Sequence, residues 1–243
     1  MKAQSITSCL LAALAIFSLA LSQLSAQRVP AHNPMAELRL QIVPDQPGKH
    51  RSASAVMWLD PLAGTPAVLF PSGRHYVLLQ KNRTFVPHLQ VVPVGGTVQF
   101  PNADPFFHNV FSLFDGKRFD LGLYEAGSSK SVTFSREGVS YIFCNIHPEM
   151  SAVIISIPAD LYGMADVGGS IVVSNIPPGD YRMQVWVEGV PQSFLGHLIR
   201  TIHLAPGRTD LGILKVPIPD SNAIHTNKFG HTYEYEQEQS TPY

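Results

Sequence analysis

Between residues 75 and 157 the chain breaks into short runs of β-branched, aliphatic and aromatic residues, each closed by a turn signal. The runs cover 75–79, 84–92, 97–100, 109–111, 129–134, 139–143 and 152–157. Gly95-Gly96, Asp115-Gly116, Gly127 and Glu137-Gly138 stand between them. Glycine supplies the positive φ that tight turns need, and Asp favours turns by bonding its own backbone. No segment sustains a helical period, and only 118–126 reads as a short irregular or helical piece. Many short strands with turns between them predict an all-β chain built as a sandwich or barrel.

A second β-rich block spans 170–216, with runs at 171–173, 181–187, 198–204 and 211–216. Pro177-Pro178-Gly179-Asp180 and Ala205-Pro206-Gly207 punctuate it. Two more strand-like runs precede residue 75. In 37–43, Leu38, Leu40 and Ile42 alternate with polar residues, and 54–59 is apolar; the Pro- and Gly-rich stretch 61–72 then reads as a connection. Hydrophobic residues make up 45% of the 243 and charged residues only 14%, enough to bury a core. A formal net charge of -1 argues against nucleic acid or an anionic membrane surface as the main partner.

The ends carry different signals. Lys2, the uncharged run 9–21 and Leu24-Ser25-Ala26 read as a signal peptide over 1–26. The apolar run is short for a membrane span, so no stable span is expected after cleavage, an uncleaved anchor being the rival reading. Residues 27–35 read as a linker and 218–243 as a polar, disordered tail. The chain is thus expected to be periplasmic or secreted.

Cleavage would remove Cys9 and leave Cys144 as the sole thiol. An exported chain with one cysteine makes no internal disulfide, so that thiol is either buried and inert or put to use. It heads the run Cys144-Asn145-Ile146-His147-Pro148-Glu149-Met150, which sets a thiolate, an imidazole and a thioether at three-residue intervals; His108 supplies a second imidazole from another segment. Two His, one Cys and a distant axial Met are the ligand set of a blue-copper site. Other readings stand beside this one. Cys144 could be a small buried hydrophobe among ordinary histidines. Zinc accepts a Cys and two His. A Cys–His hydrolase would need an orienting third group and an oxyanion site, for which no signature is present. His88 reads as a sheet residue, and His225 and His231 as solvated tail.

These segments carry a family resemblance. Residues 75–157 resemble a plastocyanin-type cupredoxin in Val94-Gly95-Gly96-Thr97-Val98-Gln99-Phe100, Asn102-Ala103-Asp104, His108-Asn109-Val110, Gly127 through Phe134, Gly138-Val139-Ser140-Tyr141 and the Cys144–Met150 loop. Two residues between Cys and His, and two between His and Met, are similar to amicyanin; plastocyanin has more between His and Met. The resemblance implies a Greek-key cupredoxin β-sandwich over 74–158. It further implies one mononuclear type 1 copper held by His108, Cys144, His147 and Met150. Asn109 would buttress the ligand loop and donate its backbone N–H to the Cys144 sulfur. The expected role is single-electron carriage with no catalytic residue and no enzymatic activity. A redox partner would dock on an apolar patch near His147 and His108, formed with Pro148 and Pro105-Phe106-Phe107.

The second block is similar, in Asn175 through Val185, to the carboxypeptidase-regulatory-like β-sandwich. That implies a second small β-sandwich over 159–217. The two strands within 27–73 resemble its opening strands, making it a discontinuous module with the cupredoxin inserted. The whole is similar to bacterial proteins labelled methylamine-utilisation or plastocyanin-like. Two other functional readings remain: periplasmic copper binding and delivery, or a structural β-sandwich adhesion module without a redox role.

Overall fold

The computed structural model describes residues 34–46, 54–113 and 116–217. The signal segment, most of the linker, Asp115, the tail and its His225 and His231 lie outside the described residues. In chain order the strands are β1 (Ala36–Pro44), β2 (Ala55–Pro61), β3 (Tyr76–Val77), β4 (Leu79–Lys81), β5 (Thr84–Val86) and β6 (Leu89–Pro93). Then come β7 (Gly96–Pro101), β8 (His108–Ser112), β9 (Phe119–Tyr124), β10 (Ser129–Phe134), β11 (Gly138–Phe143) and β12 (Ser151–Ile157). The last are β13 (Tyr162–Met164), β14 (Ser170–Ile176), β15 (Gly179–Val187), the short helix α1 (Gln192–Gly196), β16 (Arg200–Leu204) and β17 (Gly207–Val216).

The all-β expectation holds: among the described residues, the regular elements apart from α1 are strands in several sheets. A five-stranded sheet runs β6-β12-β11-β8-β9 and a three-stranded one β10-β7-β3. Strands β4 and β5 form a hairpin. Another three-stranded sheet runs β14-β1-β17 and a four-stranded one β13-β2-β15-β16. The two early strands thus pair with late ones. Leu38, Leu40 and Ile42 of β1 turn inward by the period-2 rule, and their neighbours are only half-buried.

Strand β12 is the hinge of the architecture. It reads Ser-Ala-Val-Ile-Ile-Ser-Ile, and six of its seven residues are buried. A strand with one wet face alternates, whereas a near-continuous apolar run marks a sheet covered on both faces. Ala152 and Ile154 face a core with Val92, Val110, Ile142 and Cys144. Val153, Ile155 and Ile157 face a larger core with Trp58, Tyr181, Trp186 and Leu38. One sheet therefore serves two hydrophobic cores.

Three polar ties accompany this packing. Trp186 Nε1 donates to the Tyr141 hydroxyl at 3.1 Å. Arg182 reaches Glu137 at 3.1 Å and the buried Asp60 carboxylate at 2.9 Å. His88 meets Glu188 at 2.6 Å.

The 118–126 piece is not helical. It forms β9, which pairs antiparallel with β8 so that His108 faces Tyr124. The register slips between Asn109 and Phe111, and Gly122 adopts a φ of 66°. That irregularity breaks the alternation by which a strand is recognised. Helix α1, which starts directly after Pro191, and the three-residue β13 carried too short a pattern to be read.

Candidate metal centre

Strand parity decides where Cys144 points. Alternation along β11 places Ile142 and then Cys144 on the same inner face, and both are fully buried. Strands β8 and β11 are antiparallel neighbours with Phe111 opposite Phe143. His108, three residues before Phe111, therefore lies beside the loop that follows β11. That loop is closed by its own backbone: Met150 N–H donates to His147 C=O at 3.1 Å, and Cys144 N–H donates to Met150 C=O at 3.3 Å.

Three donor atoms converge. Cys144 Sγ lies 3.8 Å from His108 Nδ1 and 3.7 Å from His147 Nδ1, and the two nitrogens are 3.1 Å apart. The centre of this triangle is about 2.1 Å from every corner, within the roughly 2.0–2.3 Å at which imidazole and thiolate hold a cation such as zinc. Two imidazole lone pairs at 3.1 Å repel unless a proton or a cation lies between them. The residues fit a trigonal His₂Cys metal site. Met150 is fully buried in the same core as Cys144.

Hydrogen bonds from the surroundings fix these donors. Backbone N–H groups of Asn109, Ile146 and His147 point at the Cys144 sulfur. Burial pushes the thiol pKa up, and these donors act against it. Burial also pushes His147 down, helped by the neighbouring His108. Both effects oppose charge without a counter-ion, and a bound cation supplies one. The Asn109 side chain donates to Asp120 of β9 at 2.7 Å, tying two strands of the sheet.

Asp104 was visible in the sequence only as part of a motif, without a role. Its Oδ2 lies 2.8 Å from His108 Nε2, and both side chains are buried. Burial pulls the carboxyl pKa up, but N–H donation from Arg83 and Asn82, together with His108, holds it below its usual value. Those donors come from the β4–β5 turn: Asn82 N–H reaches Oδ1 at 2.6 Å and Arg83 N–H reaches Oδ2 at 3.0 Å. Both turn residues have a φ of 54°, a left-handed conformation costing roughly 1–2 kcal/mol per non-glycine residue. Asn102 knits the same loop, donating to Phe106 C=O at 2.8 Å and accepting from Asp104 N–H at 3.1 Å.

One side of the site opens outward. His147 is half-buried, with Phe106 packed 5.6 Å from its ring and 5.2 Å from that of His108. The Arg83 guanidinium sits over the Phe106 ring at 5.4 Å. Phe107 is 55% exposed and Ile146 43%. His88 belongs to the Glu188 tie, and its Nδ1 lies 3.1 Å from the Ser151 carbonyl oxygen.

No family model and no curated protein matches the chain. Similar solved structures include a purple cupredoxin from Nitrosopumilus maritimus, 23% identical, covering 34% of this chain and 99% of that one, with a TM-score of 0.31. A Cu-containing nitrite reductase from Thermus scotoductus SA-01 is 23% identical over 49% of this chain and 28% of its own, with a TM-score of 0.33. A point mutant of amicyanin, in its reduced Cu(I) form at pH 4, is 19% identical over 42% of this chain and 98% of its own, with a TM-score of 0.33. The sheets around the Cys144 core form a β-sandwich. No family model or curated protein supports the carboxypeptidase-regulatory-like resemblance of the second block.

The expectation of no enzymatic activity is overturned here. One of the structures similar to this chain is a Cu-containing nitrite reductase. Among the described residues, no helix is long and apolar enough to cross a membrane.

Proposed function

We propose that this chain is an exported copper protein that takes up and releases single electrons at one type 1 site. His108, Cys144, His147 and Met150 would hold the metal. The carrying observation is the convergence of Cys144 Sγ with the two Nδ1 atoms at 3.1–3.8 Å in a buried, strand-held pocket. Bound copper would supply the one-electron couple, since thiolate and thioether suit its reduced state and imidazole its oxidised state. The chain's own task is to keep the donors fixed between the two states. Strand parity, the loop closed from Cys144 to Met150 and the N–H groups on the sulfur all serve it.

A fully buried sulfur and a fully buried His108 favour retention of the metal over hand-off to another protein. The lone Cys144 after a signal-like leader supports export to the periplasm or beyond. We read 74–158 as the copper unit, and 159–217 with β1 and β2 as a second β-sandwich bracing it. Electrons would pass through the half-buried His147, with the partner seated on Phe107, Ile146 and Pro148. Phe107→Ser should slow exchange with the cognate redox partner and leave the copper spectrum intact; an unchanged rate would remove the patch from the reading. For the site itself, one copper per chain should give an intense thiolate-to-copper visible band that Cys144→Ser abolishes. Persistence of that band in Cys144→Ser would show the ligand assignment to be wrong.

A further inference from the structure

We propose that Asp104, gripped by the β4–β5 turn, is a positioning residue that sets the tautomer of His108 and lowers the reduction potential of the site. This rests on the copper reading above. Three observations meet in it. First, Asp104 Oδ2 stands 2.8 Å from His108 Nε2, the ring nitrogen turned away from Cys144 and His147. An ionised carboxylate only accepts, so Nε2 carries the hydrogen and Nδ1 is left with its lone pair facing the donor triangle.

Second, the carboxylate is pinned. Asn82 N–H fills Oδ1, Arg83 N–H shares Oδ2 with His108, and Asp104 is 5% exposed. Successive backbone N–H groups in a turn make an anion-binding concavity, and here its occupant is a side chain of the same molecule. Third, Asn82 and Arg83 hold left-handed backbone without being glycine. The conformation that aims both N–H groups at Asp104 is thus retained against a local cost.

The electrostatic consequence follows from the sign. A negative charge directly behind a ligating imidazole makes it a better electron donor and favours the more positive state of a bound cation. Asn cannot substitute. With one oxygen it cannot serve both turn N–H groups and also accept from Nε2–H, and its NH₂ would face one of these donors.

Asp104→Asn tests this with two readouts. In the copper-loaded protein, the visible band should persist while the oxidised-over-reduced affinity ratio falls about tenfold, a rise of ~59 mV for a one-electron couple. In the metal-free protein, ¹⁵N NMR of the wild type should show His108 as the Nε2–H tautomer, and the variant should lose that preference. An unmoved potential in a variant that binds copper, or an Nδ1–H tautomer in the wild type, would overturn the proposal. The wild-type spectrum decides even if the variant does not fold. Absence of a copper band from wild type and variant alike would sink the ligand assignment instead, and the tautomer would still be read separately.

Discussion

The two faces of the five-stranded sheet share a backbone but do different things. One face closes over Cys144 and Met150, where apolar residues enclose a cluster of donors. The other meets β1, β2, β14 and β15 in a larger core lined almost wholly by aliphatic and aromatic side chains. Its polar ties to β15 and the turn after it lie at Tyr141, Glu137 and His88. A metal site needs donors held still, and a strand packed from behind can supply that stillness from the face opposite the donors. The difference teaches that the second core can brace the site mechanically while leaving its chemistry untouched.

The sharpest way to break the comparison is a pair of substitutions one residue apart. Ile154→Ala and Ile155→Ala remove equal, fully buried volumes on opposite faces of β12. Each should destabilise the protein by about 2–5 kcal/mol in a denaturant titration. Only Ile154→Ala should also perturb the visible and EPR spectra of the copper-loaded form. Equal spectral changes in both would mean that the two faces are not chemically separate.

A smaller effect is expected where the faces touch. Trp186→Phe removes the indole N–H donated to Tyr141 while keeping most of the buried ring. The cost should be about 1 kcal/mol. The copper spectrum should stay constant.

The smallest effect belongs to His88 and Glu188, both about 40% exposed. The hydrogen bond to Glu188 raises the His88 pKa, against the opposing pull of burial. The pair therefore contributes fully below the unfolded value of 6.5 and loses its contribution as pH rises through the folded value. His88→Ala should cost under about 1 kcal/mol, more near pH 6 than near pH 9. A penalty that grew with pH would contradict this sign.

How much of this was legible in the sequence depends on range. Strands β1, β7, β10 and β12 announce themselves by alternation or by apolar runs between Gly turns. Strand β9 does not, because Gly122 and the slipped register interrupt its pattern. Cys144, His147 and Met150 were readable together because they lie on one seven-residue loop, and the fold brings His108 to the first two from a separate strand. Asp104 could be seen but not interpreted: its role depends on two N–H groups from a turn some twenty residues upstream. The Trp186–Tyr141 and Arg182–Glu137 ties span still longer separations, and no local pattern encodes them. The mismatch is physical: parity and spacing are local properties, whereas the contacts that orient a ligand are not.

The most direct measurement is a copper titration of the purified protein followed by absorption and EPR. The account predicts saturation at one copper per chain, an intense thiolate-to-copper visible band, and loss of both band and stoichiometry in Cys144→Ser. Copper bound without that band, or a band that survives in Cys144→Ser, would contradict it.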